Sequence, residues 1–445
     1  MFVSGPAASQ SSSKAPHKMI PAGMGLQFFL VTALFFLWGM PNNLNDVLIR
    51  QFMTSFALTR FKAGLVQSAF YLGYFFLATP AALLMRKYGY KFGFVAGLLL
   101  FGAGAFLFWP AAVVDEYWFF LAALFVIAAG LSFLETASNP FVAQMGDPAT
   151  AARRLNFAQA FNPLGAISGV LIGTVFIFSG IELTPAQTSA MKLAGTYRPY
   201  LRHETMRVVT PYLVIGAFVL LWAFLIAVTK FPRIESEHEG EAGGHGHFSE
   251  LLRQPNFLFA VLAQFMYVGA QVCTWSYFIQ YIQETAHQPE KTAGYILTGT
   301  LVAFGAGRFS STEIMRRVRP DRLMGLYAVI NVALVAIGVL SPGWIGIGSI
   351  FLTSFFMSVM YPTIFALGIE GLGPNTKIAG SFIVMAIIGG GVLTPFMGWI
   401  SQLTHSIALA YLVPLGCYVV VAFYSYVGHR LGKPRGAGVG LAAEA

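Results

Sequence analysis

The sequence predicts an all-α membrane protein in which twelve transmembrane helices form two six-helix bundles. Three observations predict it: a composition with little charge, twelve apolar runs long enough to cross a bilayer, and a charged segment that parts six runs from six. Of 445 residues, 56% are hydrophobic and 10% charged, whereas soluble domains carry about a quarter charged residues. A soluble chain this apolar would have no surface to present to water. The 47 glycines agree, because Gly is more frequent in membrane helices than in soluble ones.

A helix needs about 20 apolar residues to cross the hydrocarbon core. In chain order the candidate spans are 25–49, 63–85, 92–112, 118–144, 154–179, 209–229, 256–282, 292–315, 322–341, 344–368, 377–401 and 406–429. Residues 1–24, Ser/Ala/Pro-rich at their start, are expected to form a disordered tail, as are residues 430–445, and no stretch resembles a cleavable leader. An even number of spans puts both ends on one side. With the ends in the cytoplasm, 18 Lys and Arg fall inside and 8 outside, and that bias supports this orientation. The same count accounts for the net charge of +9 without nucleic acid. Residues 230–255 then form a cytoplasmic linker between bundles at 25–229 and 256–429. His238, His245 and His247 in that linker have no second ligand set, so a solvated linker is expected there and no metal. Cys273 and Cys417 both lie in apolar runs and are expected to be small buried residues, not a disulfide framework.

The halves repeat weakly. The second span ends LLMRK and the eighth EIMRR, while Asn139-Pro140 in the fourth span is matched by Tyr361-Pro362 in the tenth. Repeated halves with interrupted helices in matching places mark a secondary transporter, with its site at the midplane between them.

Polar residues inside the spans are the candidates for function. An ionisable group at mid-bilayer costs about 2.5–3.5 kcal/mol on insertion scales, so it normally faces protein or water. Asp46 lies in the first span on one helix face with Asn42 and Asn43, beside Pro41, which favours a local break. Solvation of Asp46 at the helix end is the alternative. Glu135 lies near the middle of the fourth span, one turn from Asn139. A carboxyl buried far from compensating charge suits proton exchange, and a structural carboxyl between helices is the alternative. Arg308 in the eighth span is either a counter-charge or a structural pair with an acid or carbonyl. Gln159 and Asn162 are three apart in the fifth span, and Gln264, Tyr267, Gln271 and Trp275 follow at 3, 4 and 4 along the seventh. Amides both donate and accept, and aromatic faces cover the C–H side of a sugar ring. The set suits an uncharged polyhydroxylated solute, although single amides often join helices. There is no Walker loop, dinucleotide fingerprint or zinc motif. An enzyme is therefore not expected, nor a cofactor or metal, and the energy is expected to come from an ion gradient.

Seven segments carry a family resemblance along nearly the whole chain: FFLWGMPNNLNDVL (35–48), AGLVQSAFYLGYF (63–75), AAGLSFLETASNPFV (128–142), RLNFAQAFNPLGAI (154–167), LAQFMYVGAQVCTWSYFIQY (262–281), MSVMYPTIFALGI (357–369) and SFIVMAIIGGGVLTPFMG (381–398). The sequence resembles the fucose–proton symporters of the major facilitator superfamily. The resemblance implies the major facilitator fold and a rocking carrier that imports L-fucose with a proton through the bacterial inner membrane. It implies proton coupling at Asp46 and Glu135, and a sugar cavity that includes Asn43, Gln159 and Asn162. Its partners would be sugar, protons and lipid, with the chain acting as a monomer. One departure is Arg86, which stands where the superfamily's loop after the second helix usually has an acid. Rival readings are a proton symporter for glucose, galactose or N-acetylglucosamine, a sugar uniporter, and a sugar sensor without net flux.

Overall fold

The computed structural model describes residues 19–21, 23–147, 150–231, 251–315, 317–370, 372 and 376–431. His238, His245 and His247 lie outside the described residues, as do most of the expected linker and tails. Among the described residues the chain is helical, without a strand. The twelve spanning helices are α1 (Gly25–Ser55), α2 (Arg60–Met85), α3 (Tyr90–Val114), α4 (Tyr117–Gln144), α5 (Phe157–Ile177), α6 (Tyr197–Val228), α7 (Pro255–Ser276), α8 (Glu290–Ile314), α9 (Pro320–Leu340), α10 (Trp344–Ile369), α11 (Phe382–Thr404) and α12 (Ile407–Arg430). Eleven of them combine the length and hydropathy of a membrane span. The exception is α8, whose glycines, threonines and Arg308 lower its mean hydropathy. Its 25 residues still reach roughly 37 Å at about 1.5 Å per residue, more than the hydrocarbon core of about 30 Å.

Helices α1–α6 pack on one another as one bundle and α7–α12 as the other. The bundles meet chiefly where α2 lies along α11 and α5 along α8. Large apolar side chains such as Trp118, Phe176, Phe224 and Trp344 are exposed, which in a protein of this composition is the surface that lipid covers. Membrane helices gain little from apolar burial against each other, so they pack through small residues. The α1–α5 contact does this. A Cβ added at Gly165 would lie 2.1 Å from the Phe36 carbonyl oxygen, and one at Gly169 would lie 2.2 Å from that of Met40. The two glycines are four apart, so α5 presents one small-residue stripe to α1, the helix that carries Asp46.

The prolines act differently from the expectation. Helix α1 continues through Pro41 and α4 through Pro140, so neither is broken. Pro41 leaves the Leu37 carbonyl and Pro140 the Thr136 carbonyl without its helical donor; in α1 the Asn43 amide adds a bond to the Gly39 carbonyl at 3.4 Å. In α4 the Asn139 side chain donates to the Glu135 carbonyl at 3.1 Å. The breaks fall elsewhere. Helix α5 interrupts at Ala160, between segments ending at Gln159 and starting at Phe161. Pro163 removes the donor that would have reached the Gln159 carbonyl. Helix α10 interrupts between Met357 and Met360, where Pro362 leaves the Ser358 carbonyl free in the same way.

Candidate functional site

Bonds between the two bundles gather on one face, opposite the face that carries the described chain ends. Arg60 at the start of α2 pairs with Glu284, on the short helix Phe278–Ala286 that follows α7. Arg60 also donates to Ser401 Oγ of α11 at 2.6 Å, and its carbonyl accepts the Tyr277 hydroxyl at 2.7 Å. Deeper in, Ser68 Oγ donates to the Gly391 carbonyl at 2.6 Å. A second group of bonds lies where α5 meets α8. Glu182 accepts from Gln283 at 2.7 Å and from the Glu290 backbone at 2.8 Å. The Glu290 carboxylate accepts from the Gly180 backbone at 3.3 Å and faces Arg50 at 3.8 Å. These contacts close that face. On the terminal face the bonds named lie within a bundle: Lys91 donates to the Ala227 carbonyl at 2.7 Å, and Arg319 and Arg430 hold Asp321.

A cavity of about 2370 Å³ therefore opens between the bundles toward the terminal face, where Arg319, Arg322, Glu370 and Arg430 line its mouth. It exceeds the roughly 300–1,000 Å³ of ordinary ligand pockets, because it includes the access funnel. Its deep wall brings together Asn42, Asn43 and Asp46 of α1, Glu135 and Asn139 of α4, Gln159 and Asn162 of α5, Tyr267, Gln271 and Trp275 of α7, and Arg308 of α8. Gln264 is the exception. It is fully buried, with both amide atoms unpartnered, and does not line the cavity. Its stripe on α7 runs from the cavity wall into the packing with neighbouring helices; helical spacing alone does not locate that transition.

The side chains differ in how free they are. Asp46 is almost fully buried, and its Oδ1 accepts from Gln67 Nε2 at 3.0 Å and from Ser276 Oγ at 2.7 Å. Glu135 is only partly buried at the cavity wall, which Tyr71, Tyr74 and Tyr361 also line. Gln159 Nε2 donates to Asn139 Oδ1 at 3.1 Å, and Asn162 Nδ2 to the Phe35 carbonyl at 3.3 Å. Each of these amides keeps further capacity for a ligand. Tyr267 and Trp275 have their polar atoms committed within their own bundle. The Tyr267 hydroxyl donates to the Met357 carbonyl, and Trp275 Nε1 to Ser354 Oγ, both at 3.0 Å. Both line the cavity, with Tyr267 packed edge-to-face on Tyr361 and Trp275 on Phe304. Arg308 forms no ion pair among the described residues; its guanidinium lies over the Phe304 ring, 5.4 Å from the centroid. A cation on a ring face keeps part of its stabilisation without an acid. Of the two expected roles, a structural ion pair is not seen among the described residues, and the counter-charge reading stays open.

Sequence reasoning missed Gln67, Tyr71, Tyr74, Trp38, Tyr361 and Ser276, of which all but Ser276 line the cavity. Gln67, Tyr71 and Tyr74 are spaced four and three apart, the same one-face signal that singled out Asn42, Asn43 and Asp46. Ser276 carries no periodic signal, since it ends α7 where the chain breaks before Tyr277.

The arrangement is a deep polar chamber between two bundles, open on one side only, with carboxylates and amides on one wall and aromatic residues on the other. The chain is 45% identical over 416 residues to the L-fucose-proton symporter of Escherichia coli strain K12, covering 90% of this chain and 92% of that protein. It is 33% identical to a putative glucose/galactose transporter of Helicobacter pylori strain J99, covering 90% and 96%. Among solved structures it matches a crystal structure of FucP, a major facilitator superfamily transporter in the outward conformation. That match has a TM-score of 0.66 at 45% identity and covers 90% of this chain and 98% of that one. The model of the Major Facilitator Superfamily matches residues 27–377. With this fold, this chamber and these matches, the chain belongs to the major facilitator superfamily of membrane carriers.

Proposed function

We propose that the protein imports L-fucose, or a closely related sugar, together with a proton across the bacterial inner membrane by alternating access. The observation that carries this reading is the chamber wall itself. Two carboxylates, Asp46 and Glu135, stand among amides able to bind hydroxyl groups, in a chain 45% identical to a fucose–proton symporter. One cation, Arg308, lies among the deep polar residues, so an anionic substrate has little to bind.

In this reading both chain ends and the 230–255 linker are cytoplasmic, as the bias of 18 basic residues against 8 supports. The sealed face is periplasmic, and the described state is open to the cytoplasm. The 0.66 TM-score against a 45% identical structure in the outward conformation fits two bundles that rock about the chamber between states. Asp46 and Glu135 take up a proton when the chamber faces the periplasm. Sugar binds to Asn42, Asn43, Asn139, Gln159, Asn162 and Gln271, with the rings of Tyr267 and Trp275 against its C–H faces. With proton and sugar both aboard, the loaded chamber closes on the periplasmic side and opens inward. Arg308 supplies a fixed positive field opposite the acids.

A second reading, a glucose or galactose carrier, is favoured by the 33% identity to the Helicobacter pylori protein. Competition of labelled L-fucose counterflow by a sugar panel in proteoliposomes separates the two. The proposal expects L-fucose to compete at the lowest concentration; strongest competition by glucose or galactose would transfer the assignment to them.

A further inference from the structure

Asp46, Gln67 and Ser276 form a closed three-membered hydrogen-bond ring. The Ser276 hydroxyl donates to Asp46 Oδ1 at 2.7 Å, and Gln67 Nε2 donates to that oxygen and to Ser276 Oγ, each at 3.0 Å. Donor and acceptor accounting closes: the serine gives its one proton and takes one, and the amide nitrogen uses both of its own. Asp46 and Gln67 belong to the first bundle and Ser276 to the second. Both Gln67 and Ser276 are buried, so the ring is a buried cross-bundle contact at the cavity wall. The residue after Ser276, Tyr277, bonds the Arg60 carbonyl at 2.7 Å. The helix end that carries Ser276 is therefore part of the periplasmic seal.

We propose that Ser276 is a positioning residue for proton coupling: it reaches Asp46 only when the periplasmic side is closed, and so ties closure to the proton occupancy of that carboxylate. The inference rests on Asp46 as a proton site, which is part of the function proposed above. An ionised carboxylate accepts hydrogen bonds about twice as strongly as a neutral group. The ring therefore distinguishes the charged from the protonated acid, and Ser276 lends its share of that difference only in the closed state. By reciprocity, whatever charge form the seal favours must in turn favour the seal. Closing brings the serine to the acid while the chamber beneath is open to the cytoplasm, which promotes proton loss on that side. Opening withdraws the serine. Gln67, by contrast, remains with Asp46 in both states because α1 and α2 share a bundle.

The test uses the full-length protein in proteoliposomes with spin labels on exposed sites of the two bundles, Ser189 and Thr404. Ser276→Ala is expected to raise the periplasm-open fraction about tenfold, equivalent to about 1.4 kcal/mol, and to lower proton-driven accumulation. Ser276→Thr, which retains the hydroxyl, should restore both. In an Asp46→Asn background, the Ser276→Ala shift should shrink severalfold, since the two changes act through one bond. An Ala variant with the parental distance distribution and accumulation would overturn the proposal, as would a shift undiminished beside Asp46→Asn. Absence of sugar-linked proton uptake in the unmodified protein would instead overturn the symport reading, which keeps the two failures distinct.

Discussion

Replacing Arg60 by alanine tests whether the closed face between the bundles is held by the bonds described. The change removes an ion pair to Glu284 and a 2.6 Å hydrogen bond to Ser401. The pair is partly exposed, with side-chain accessibilities of 23% and 33%, so it contributes at most about 1 kcal/mol. The serine bond contributes about 0.5–1.5 kcal/mol. Glu284 is not orphaned, because its other oxygen accepts the Ile407 backbone N–H at 2.9 Å, and the Tyr277 bond survives because it uses the Arg60 backbone. The net effect is roughly 1.5 kcal/mol against the closed state, about a tenfold rise in molecules open on that face. A cysteine at Ser68, beneath the seal, reports this through its rate of reaction with an impermeant maleimide added from outside. Cys273 and Cys417 are buried and give a low background. Arg60→Ala in the Ser68→Cys protein should raise that rate about tenfold. An unchanged rate would mean that the seal does not depend on Arg60 and that the energetic argument is wrong.

Other consequences follow from the packing. Arg154 is fully buried and donates to the carbonyls of Val142, Ala143, Asp147 and Met19 and to Thr150, closing the end of α4. Arg154→Ala should cost about 3 kcal/mol, read as a lower thermal unfolding midpoint in detergent, and Arg154→Lys should recover little because an ammonium cannot reproduce the fork. Gly169→Val places a side chain against the Met40 carbonyl at 2.2 Å. Overpacking of this kind costs about 1–3 kcal/mol; the midpoint should fall, and transport with it, because α1 must move away from α5.

Much of the fold was legible because membrane helices announce themselves by length and apolarity, and because amides and acids inside them are few. Asp46, Glu135 and the amides of α1, α4 and α5 could be found by asking which residues violate the pattern. Three features were not legible. Gln264 shares a helix face with Tyr267, yet periodicity does not say where a neighbouring helix covers that face. Pro41 and Pro140 each cost a backbone donor, yet α1 and α4 run on through them. Ser276 matters through a partner on another helix, and a small hydroxyl at a helix end carries no signal of that partner. What the sequence misses is therefore contact between helices, which depends on how the bundles meet.

The most direct measurement is sugar accumulation in proteoliposomes under a combined gradient of about 100 mV and one pH unit. For one proton per sugar this drive is about 2.3 plus 1.36 kcal/mol, enough for an accumulation of several hundred-fold. The unmodified protein is predicted to accumulate L-fucose toward that ratio. Glu135→Gln is predicted to exchange sugar across the membrane without concentrating it. Accumulation by Glu135→Gln equal to that of the unmodified protein would contradict the assignment of this carboxylate to proton coupling, and with it the account of how the chamber does work.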